Sequence, residues 1–147
     1  MTITTTTTTT GLGALAAMIH DNAVSKGFWD TPRPLPESIA LMHSELSEAL
    51  EEHRDGRADV YYQIDRITVF PVTDGSGAEW TRDSTGTGGH GTWTGVTPKP
   101  EGVAVELIDC LIRILDTLAT LDVDIDKVVT DKMMYNAGRP RLHGKAY

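Results

Sequence analysis

Four stretches of the chain repeat apolar residues at intervals of three and four positions, which predicts amphipathic α-helices. The first covers about residues 12–26 and is followed by Gly27, a residue type that commonly ends helices. The second runs to about residue 54 and begins near Pro36, because proline is tolerated in a first helical turn. The third covers about residues 101–121 and the fourth about residues 125–136.

The third helix is predicted to be apolar around most of its circumference. Its few polar residues fall in one narrow wedge: Glu106, Asp109, Arg113 and Asp116. Such a helix belongs at the centre of a bundle or in a subunit interface. In the fourth helix, Asp122 or Asp124 is the expected N-cap, and Gly138 and Pro140 end it.

The segment between helices two and three has a different pattern. Residues 60–70 are rich in β-branched and aromatic side chains, which predicts a strand. We expect residues 56–98 to form a β-hairpin inserted into a single all-α domain of four helices over residues 12–147. Residues 1–11 are low in complexity and predict a mobile tail, with Thr10 as a possible N-cap of the first helix.

Composition and net charge argue against several classes of function. The 147 residues carry a formal net charge of -8, which argues against binding to a polynucleotide but not against a small nucleotide that arrives with its own Mg²⁺. The single Cys110 excludes an internal disulfide and fits a reducing cytoplasm. Residues 12–19 are too short to cross a bilayer, so we expect a cytoplasmic protein without a membrane partner.

Two acidic pairs are the main candidates for chemistry. Glu45 and Glu48 are three residues apart in helix two, and Glu106 and Asp109 are three apart in helix three. Three residues are just under one helical turn, so each pair projects its carboxylates from one face. If the two helices face each other, four carboxylates meet and require cations, and oxygen ligands suit Mg²⁺ bound to phosphates, with Mn²⁺ as the alternative ion.

Other interpretations of the same residues stay open. The acidic pairs could line ordinary solvent-facing surfaces of their helices. A di-iron bundle would require Glu-x-x-His motifs, which neither pair provides, and the histidines show no ligand spacing among themselves. A zinc site with one cysteine is weaker still.

A basic segment follows the acidic pairs near the C-terminus. Lys132 and Asn136 are four residues apart on one face of helix four, and Arg139 and Lys145 follow. Cations at a helix C-terminus often only complement the helix dipole. Beside a metal-binding acidic cluster, however, they would bind the other side of a polyphosphate.

At this point the chain resembles the MazG-like nucleoside triphosphate pyrophosphohydrolases of the all-α NTP pyrophosphatase superfamily. The resemblance lies in ELSE at residues 45–48, ELID at residues 106–109 and the tail DKMMYNAGRPRLHGKAY, and it covers residues 12–54 and 101–147. It implies a four-helix homodimer or homotetramer and Mg²⁺-dependent hydrolysis of (deoxy)nucleoside triphosphates to monophosphate and pyrophosphate. The 57 residues between Glu48 and Glu106 exceed the short connection typical of the family.

The resemblance also implies roles for individual residues. Glu45, Glu48, Glu106 and Asp109 take the metal-ligand positions, with Glu45 or Glu48 as the base that orients water. The positions near the phosphates go to Lys132, Asn136, Arg139 and Lys145. Trp29 or Phe28 would stack on the base or would simply pack the bundle. The competing functions are a non-catalytic helical oligomer that binds a nucleotide or a protein partner, and an acidic buffer of divalent ions.

Overall fold

The computed structural model describes residues 11–71, 79–82, 92–94 and 96–144. In this part of the chain the fold is predominantly helical, as predicted, with four α-helices and one antiparallel sheet. The helices are α1 (Leu12–Ser25), α2 (Leu35–Arg54), α3 (Val103–Ala119) and α4 (Ile125–Ala137), and a short 3-10 helix follows at Arg141–Gly144. None of the helices in the described ranges is long and apolar enough to cross a membrane.

The sheet lies between α2 and α3 in the sequence and is larger than one hairpin. Its strands are β1 (Tyr61–Ile64), β2 (Ile67–Pro71), β3 (Glu79–Arg82), β4 (Thr92–Thr94) and β5 (Lys99–Glu101). They form one sheet in the order β4-β3-β2-β1-β5, and every neighbouring pair is antiparallel. β5 therefore pairs with β1 and ends just before the start of α3.

The prediction of one continuous strand over residues 60–70 is wrong. The chain turns at Asp65 and Arg66, which both have positive φ (49° and 67°), and Ile64 pairs with Ile67. Positive φ at both central residues is typical of a two-residue type I′ hairpin turn. Asp-Arg is an unusual residue pair for a type I′ turn, so the sequence does not predict a turn at residues 65–66.

Helix ends follow local chemistry that the sequence largely predicts. Gly27 has a φ of 80° directly after the C-cap Lys26, and the backbone N–H of Phe28 donates to the carbonyl of Ala23 (3.1 Å). Asp124 is the N-cap of α4, and its side chain accepts a hydrogen bond from the backbone N–H of Lys127 (2.9 Å). Both expectations are confirmed.

The start of α1 is different from the prediction. Gly11 occupies the N-cap and offers no side chain, and Thr10 lies outside the described residues. The carboxylate of Asp126 on α4 replaces the missing cap, because it accepts hydrogen bonds from the backbone N–H groups of Leu12 (2.8 Å) and Gly13 (3.1 Å).

The chain forms two compact units. The first contains Met1–Ser38 and Ile112–Tyr147, and its core is a cluster of Ala16, Leu115 and Ile125 with Ile19, Leu118 and Ala119 packed against it. The second is Ile39–Leu111, and its buried apolar residues are Ala49, Ile64, Val69 and Cys110. The second unit thus combines most of α2, the sheet and the first half of α3.

Candidate metal centre

The centre of interest lies inside the second unit, where α2 and α3 present acidic side chains to each other. Glu45 of α2 and Glu106 and Asp109 of α3 each offer one carboxylate oxygen, and these three oxygens lie within 4.8 Å of one another. This acidic trio is the one group of His, Cys, Asp or Glu side chains with metal-ligand spacing that we find in the described part of the chain. The helical repeat explains the geometry on α3, because residues 106 and 109 share one face.

Two members of the trio are buried. Glu45 is 6% exposed and Glu106 is 7% exposed, whereas Asp109 is partly exposed. Burial raises the pKa of the Glu106 carboxyl, and the neighbouring charges of Glu48, Asp109, Glu45 and Glu101 raise it further. Both causes disfavour the ionised form of Glu106, and a bound cation would offset them.

Glu48, the fourth predicted ligand, lies close to the trio but not in it. It is exposed on α2 and accepts a hydrogen bond from the hydroxyl of Ser44 (3.3 Å). Its charge still contributes to the raised pKa of Glu106. The structure thus leaves this carboxylate at the edge of the site.

One more acid continues the same face of α2. Glu52 follows Glu48 by four residues, and its Oε2 is a buried side-chain oxygen without a hydrogen-bond partner among the described residues. Burial raises the pKa of the nearby Tyr61 hydroxyl, and a hydrogen bond to Glu52 raises it further. An unpaired buried carboxylate oxygen is costly and is a further sign of missing positive charge on this face.

A lysine of the sheet completes the surroundings of the trio. The Nζ of Lys99 lies 2.7 Å from Oε1 of Glu101 on β5. The hydrogen bond to Glu101 raises the pKa of Lys99 despite partial desolvation, and the charges of Glu101, Glu106 and Asp109 also raise it. Lys99 precedes the first residue of α3 by only four positions, but sequence reasoning missed it because the pairing of β5 with β1 was not predicted.

The predicted phosphate-binding residues lie in the first unit. Lys132 and Asn136 are exposed on α4, and Arg139 is exposed just after it. The ammonium of Lys132 lies 5.3 Å and the guanidinium of Arg139 lies 5.8 Å from the ring centre of Tyr135. Lys145 lies outside the described residues. The structure therefore groups two of the predicted cations around one aromatic ring.

Trp29 is held by neighbours in the first unit. Its indole Nε1 donates to Oδ1 of Asp116 (3.0 Å), and its ring meets His20 edge-on with 5.1 Å between ring centres. His20 Nδ1 lies 2.7 Å from the same oxygen of Asp116. The sequence contains a signal for this cluster, since Asp116 is one of the few polar residues of a largely apolar helix and requires polar partners.

Comparisons of the chain with models of protein families, with curated proteins and with solved structures found no match.

Proposed function

We propose that the acidic trio binds a divalent cation and that the chain is a Mg²⁺-dependent nucleoside triphosphate pyrophosphohydrolase of the MazG-like type. One observation carries the proposal: carboxylate oxygens of Glu45, Glu106 and Asp109, on two separate helices, lie within 4.8 Å of one another. The MazG-like motifs in the sequence supply the reaction class.

The donor set fits a hard cation. Three carboxylates and no histidine or thiolate favour Mg²⁺ or Mn²⁺ over softer metals. Two of the three carboxylates are buried, and Glu106 has a raised pKa because burial and like charges oppose its ionisation. A divalent cation would offset these charges and, when bound, would polarise the phosphoryl group of a triphosphate.

Glu48 is the best candidate for the general base. It is exposed and stands outside the trio, so its carboxylate is not required for holding the cation. In the proposed reaction Glu48 takes a proton from a water whose oxygen attacks the α-phosphorus. The bond from that phosphorus to the bridging oxygen breaks, and the products are a nucleoside monophosphate and pyrophosphate.

The remaining predicted substrate residues stay predictions from the sequence. Lys132, Asn136 and Arg139 lie in the first unit, and Lys145 lies outside the described residues. Trp29 already donates its N–H to Asp116, so only its ring face could contact a base.

Oligomerisation is part of the proposal. Several large apolar side chains of α3 are exposed: Leu107 (50%), Ile108 (52%), Leu111 (46%) and Ile112 (39%). On α4, Met133 and Met134 are 67% and 70% exposed. Exposed apolar patches mark interaction sites, and a homodimer or homotetramer would bury these side chains.

The direct test is pyrophosphate release from a panel of canonical and modified dNTPs with Mg²⁺. We expect release by the wild-type protein, a loss of at least about a hundredfold in Glu106→Gln, and a similar loss in Glu48→Gln. Glu51→Gln is the matched control, because Glu51 is an exposed acid of the same helix that is neither in the trio nor among the predicted site residues.

Other outcomes of this experiment would indicate another function or refute the ligand assignment. Nucleotide binding without pyrophosphate release would indicate a non-catalytic binding protein. Metal binding that nucleotides do not change would indicate an ion buffer. Wild-type turnover in Glu106→Gln would refute the ligand assignment.

A further inference from the structure

The inserted sheet brings a lysine to the edge of the acidic trio. Lys99 and Glu101 are two residues apart on β5, so they share one face of the strand. The pairing with β1 sets their register, because Lys99 is opposite Gln63 and Glu101 is opposite Tyr61. The Lys99 ammonium lies 2.7 Å from the Glu101 carboxylate.

The backbone after β5 holds this strand in a defined position relative to α3. Gly102 has a φ of 114°, and a Cβ at this position would lie 2.5 Å from the carbonyl oxygen of Ala58. The N–H of Ala104 donates to the carbonyl of Asp59 (2.9 Å), and the N–H of Glu106 donates to the carbonyl of Gly102 (3.1 Å). Close backbone contact thus fixes the path from Lys99 to the first turn of α3, where Glu106 lies.

The exposure of the ion pair is unequal. The side chain of Glu101 is 16% exposed, whereas that of Lys99 is 73% exposed. The partly buried carboxylate of Glu101 anchors the ammonium, and the Lys99 side chain is largely exposed to solvent. An ammonium has three donors, so a lysine bonded to one carboxylate can also bond to a phosphate.

The direct connection of β5 to α3 through Gly102 places Lys99 near the first turn of α3. The charges of Glu106 and Asp109 both act on its ammonium, in the direction that favours the charged form. A triphosphate that approaches these carboxylates is repelled by them, and a fixed cation beside the metal reduces that repulsion.

We propose that Lys99 binds the pyrophosphoryl part of the substrate at the acidic trio, so that the inserted sheet supplies a substrate-binding residue. This inference rests on the proposed function, because it assumes that a metal-bound polyphosphate occupies the trio. A purely structural role for Lys99, in which it only neutralises Glu101, is the competing explanation.

The test uses three variants of the full chain. Lys99→Met removes the ammonium, and Lys99→Met/Glu101→Gln removes it together with the charge that it neutralises. Lys127→Met is the matched control, because Lys127 is also an exposed lysine paired with a carboxylate, that of Asp131 on α4. Calorimetry with inorganic pyrophosphate and Mg²⁺ measures binding without turnover, and titration with Mn²⁺ alone measures the metal site separately.

We expect pyrophosphate to bind about tenfold more weakly to both Lys99 variants, with the control unchanged. KM for a nucleoside triphosphate rises by a similar factor, and Mn²⁺ affinity is kept or increased. Unchanged pyrophosphate affinity in Lys99→Met, recovery of affinity in the double variant, or no pyrophosphate binding by the wild type would each overturn the inference.

The two proposals can fail separately. Lys99-dependent pyrophosphate binding by a wild-type protein that hydrolyses no triphosphate supports the lysine's role and rejects the hydrolase. Hydrolysis with a KM that Lys99→Met leaves unchanged supports the hydrolase and rejects the lysine's role.

Discussion

The indole Nε1 of Trp29 donates a hydrogen bond to the carboxylate of Asp116, 3.0 Å from Oδ1 and 3.2 Å from Oδ2. This bond joins the loop after α1 to the second half of α3, inside the first unit. His20 shares the same carboxylate, so two side chains from α1 and the loop after it meet at one acid of α3. Trp29 therefore has a structural role in this unit, whether or not its ring also contacts a nucleotide.

Trp29→Phe should lower the stability of the protein. The variant keeps an aromatic ring but loses a hydrogen bond to a charged acceptor, and we expect the free energy of unfolding to fall by about 1–2 kcal/mol. Urea unfolding measures this change. Phe28→Leu is the control, because Phe28 is 62% exposed and should change stability by less than about 0.5 kcal/mol. Equal effects in the two variants would contradict a structural role of the hydrogen bond.

Asp126→Ala should also destabilise the protein, although Asp126 lies in the first turn of α4. Its carboxylate accepts the hydrogen bonds of Leu12 and Gly13 at the start of α1, and a lost N-cap costs about 1 kcal/mol. Asp131→Ala is the control, since Asp131 is an exposed acid on the same helix that pairs with Lys127. If urea unfolding gives the same loss of stability for both variants, the Asp126 cap does not contribute to stability.

Helix positions and ends were largely predictable because they depend on residues close together in the sequence. The apolar repeat located all four helices, and Gly27 and Asp124 marked two of their ends. The cap of α1 was not predictable, because Asp126 follows Leu12 by 114 residues. The pairing of β5 with β1, which positions Lys99, likewise depends on tertiary structure.

The acidic trio was only partly predictable from the spacing of its residues. Spacing predicted that Glu106 and Asp109 share a face, and they do lie together with Glu45. Spacing could not show which member of the pair on α2 points inward, because residues 45 and 48 differ by only part of a turn. Burial distinguishes them: Glu45 is buried and Glu48 is exposed.

In the absence of metal, stability should fall as the pH rises through the titration of Glu106. Its pKa is raised in the folded state by burial and like charges, so the folded protein binds more protons than the unfolded chain in this interval. The contribution of Glu106 to stability is greatest below the ordinary glutamate pKa of about 4.3 and decreases until the raised pKa is passed. Urea unfolding in a chelator, measured across this range, should show a weaker slope for Glu106→Gln than for the wild type. The slope of Glu51→Gln should match the wild type, and a Glu106→Gln slope equal to it would contradict the assigned cause.

Metal should reverse the order of stability between the wild type and Glu106→Gln. In a chelator near pH 7 the variant should be the more stable protein, because it lacks a buried charge repelled by its neighbours. With Mn²⁺ at about 100 times its Kd, the wild type should gain about 2.7 kcal/mol and the variant little. Thermal unfolding with and without Mn²⁺ measures both effects, and an equal metal response in the two proteins would exclude Glu106 as a ligand.

Two glycines with positive φ provide a matched test of the junction between β5 and α3. Gly102 has a φ of 114°, and an added Cβ would lie 2.5 Å from the oxygen of Ala58 and 2.7 Å from that of Asp59, both backbone atoms. Gly56 has a φ of 66°, and nothing lies within 4 Å of an added Cβ. Gly56→Ala should therefore cost about 1 kcal/mol from backbone strain alone, whereas Gly102→Ala adds a clash that the backbone must move to relieve and should cost about 3 kcal/mol or more.

Urea unfolding of the two variants gives this comparison directly. If Gly102→Ala folds, the shift of β5 should also weaken pyrophosphate binding through Lys99, while Gly56→Ala should bind it as the wild type does. Equal losses of stability in the two variants would show that the backbone between β5 and α3 moves at little cost in free energy. In that case the backbone would not hold Lys99 at a fixed position beside Glu106, and the lysine would reach the phosphates only through the flexibility of its own side chain.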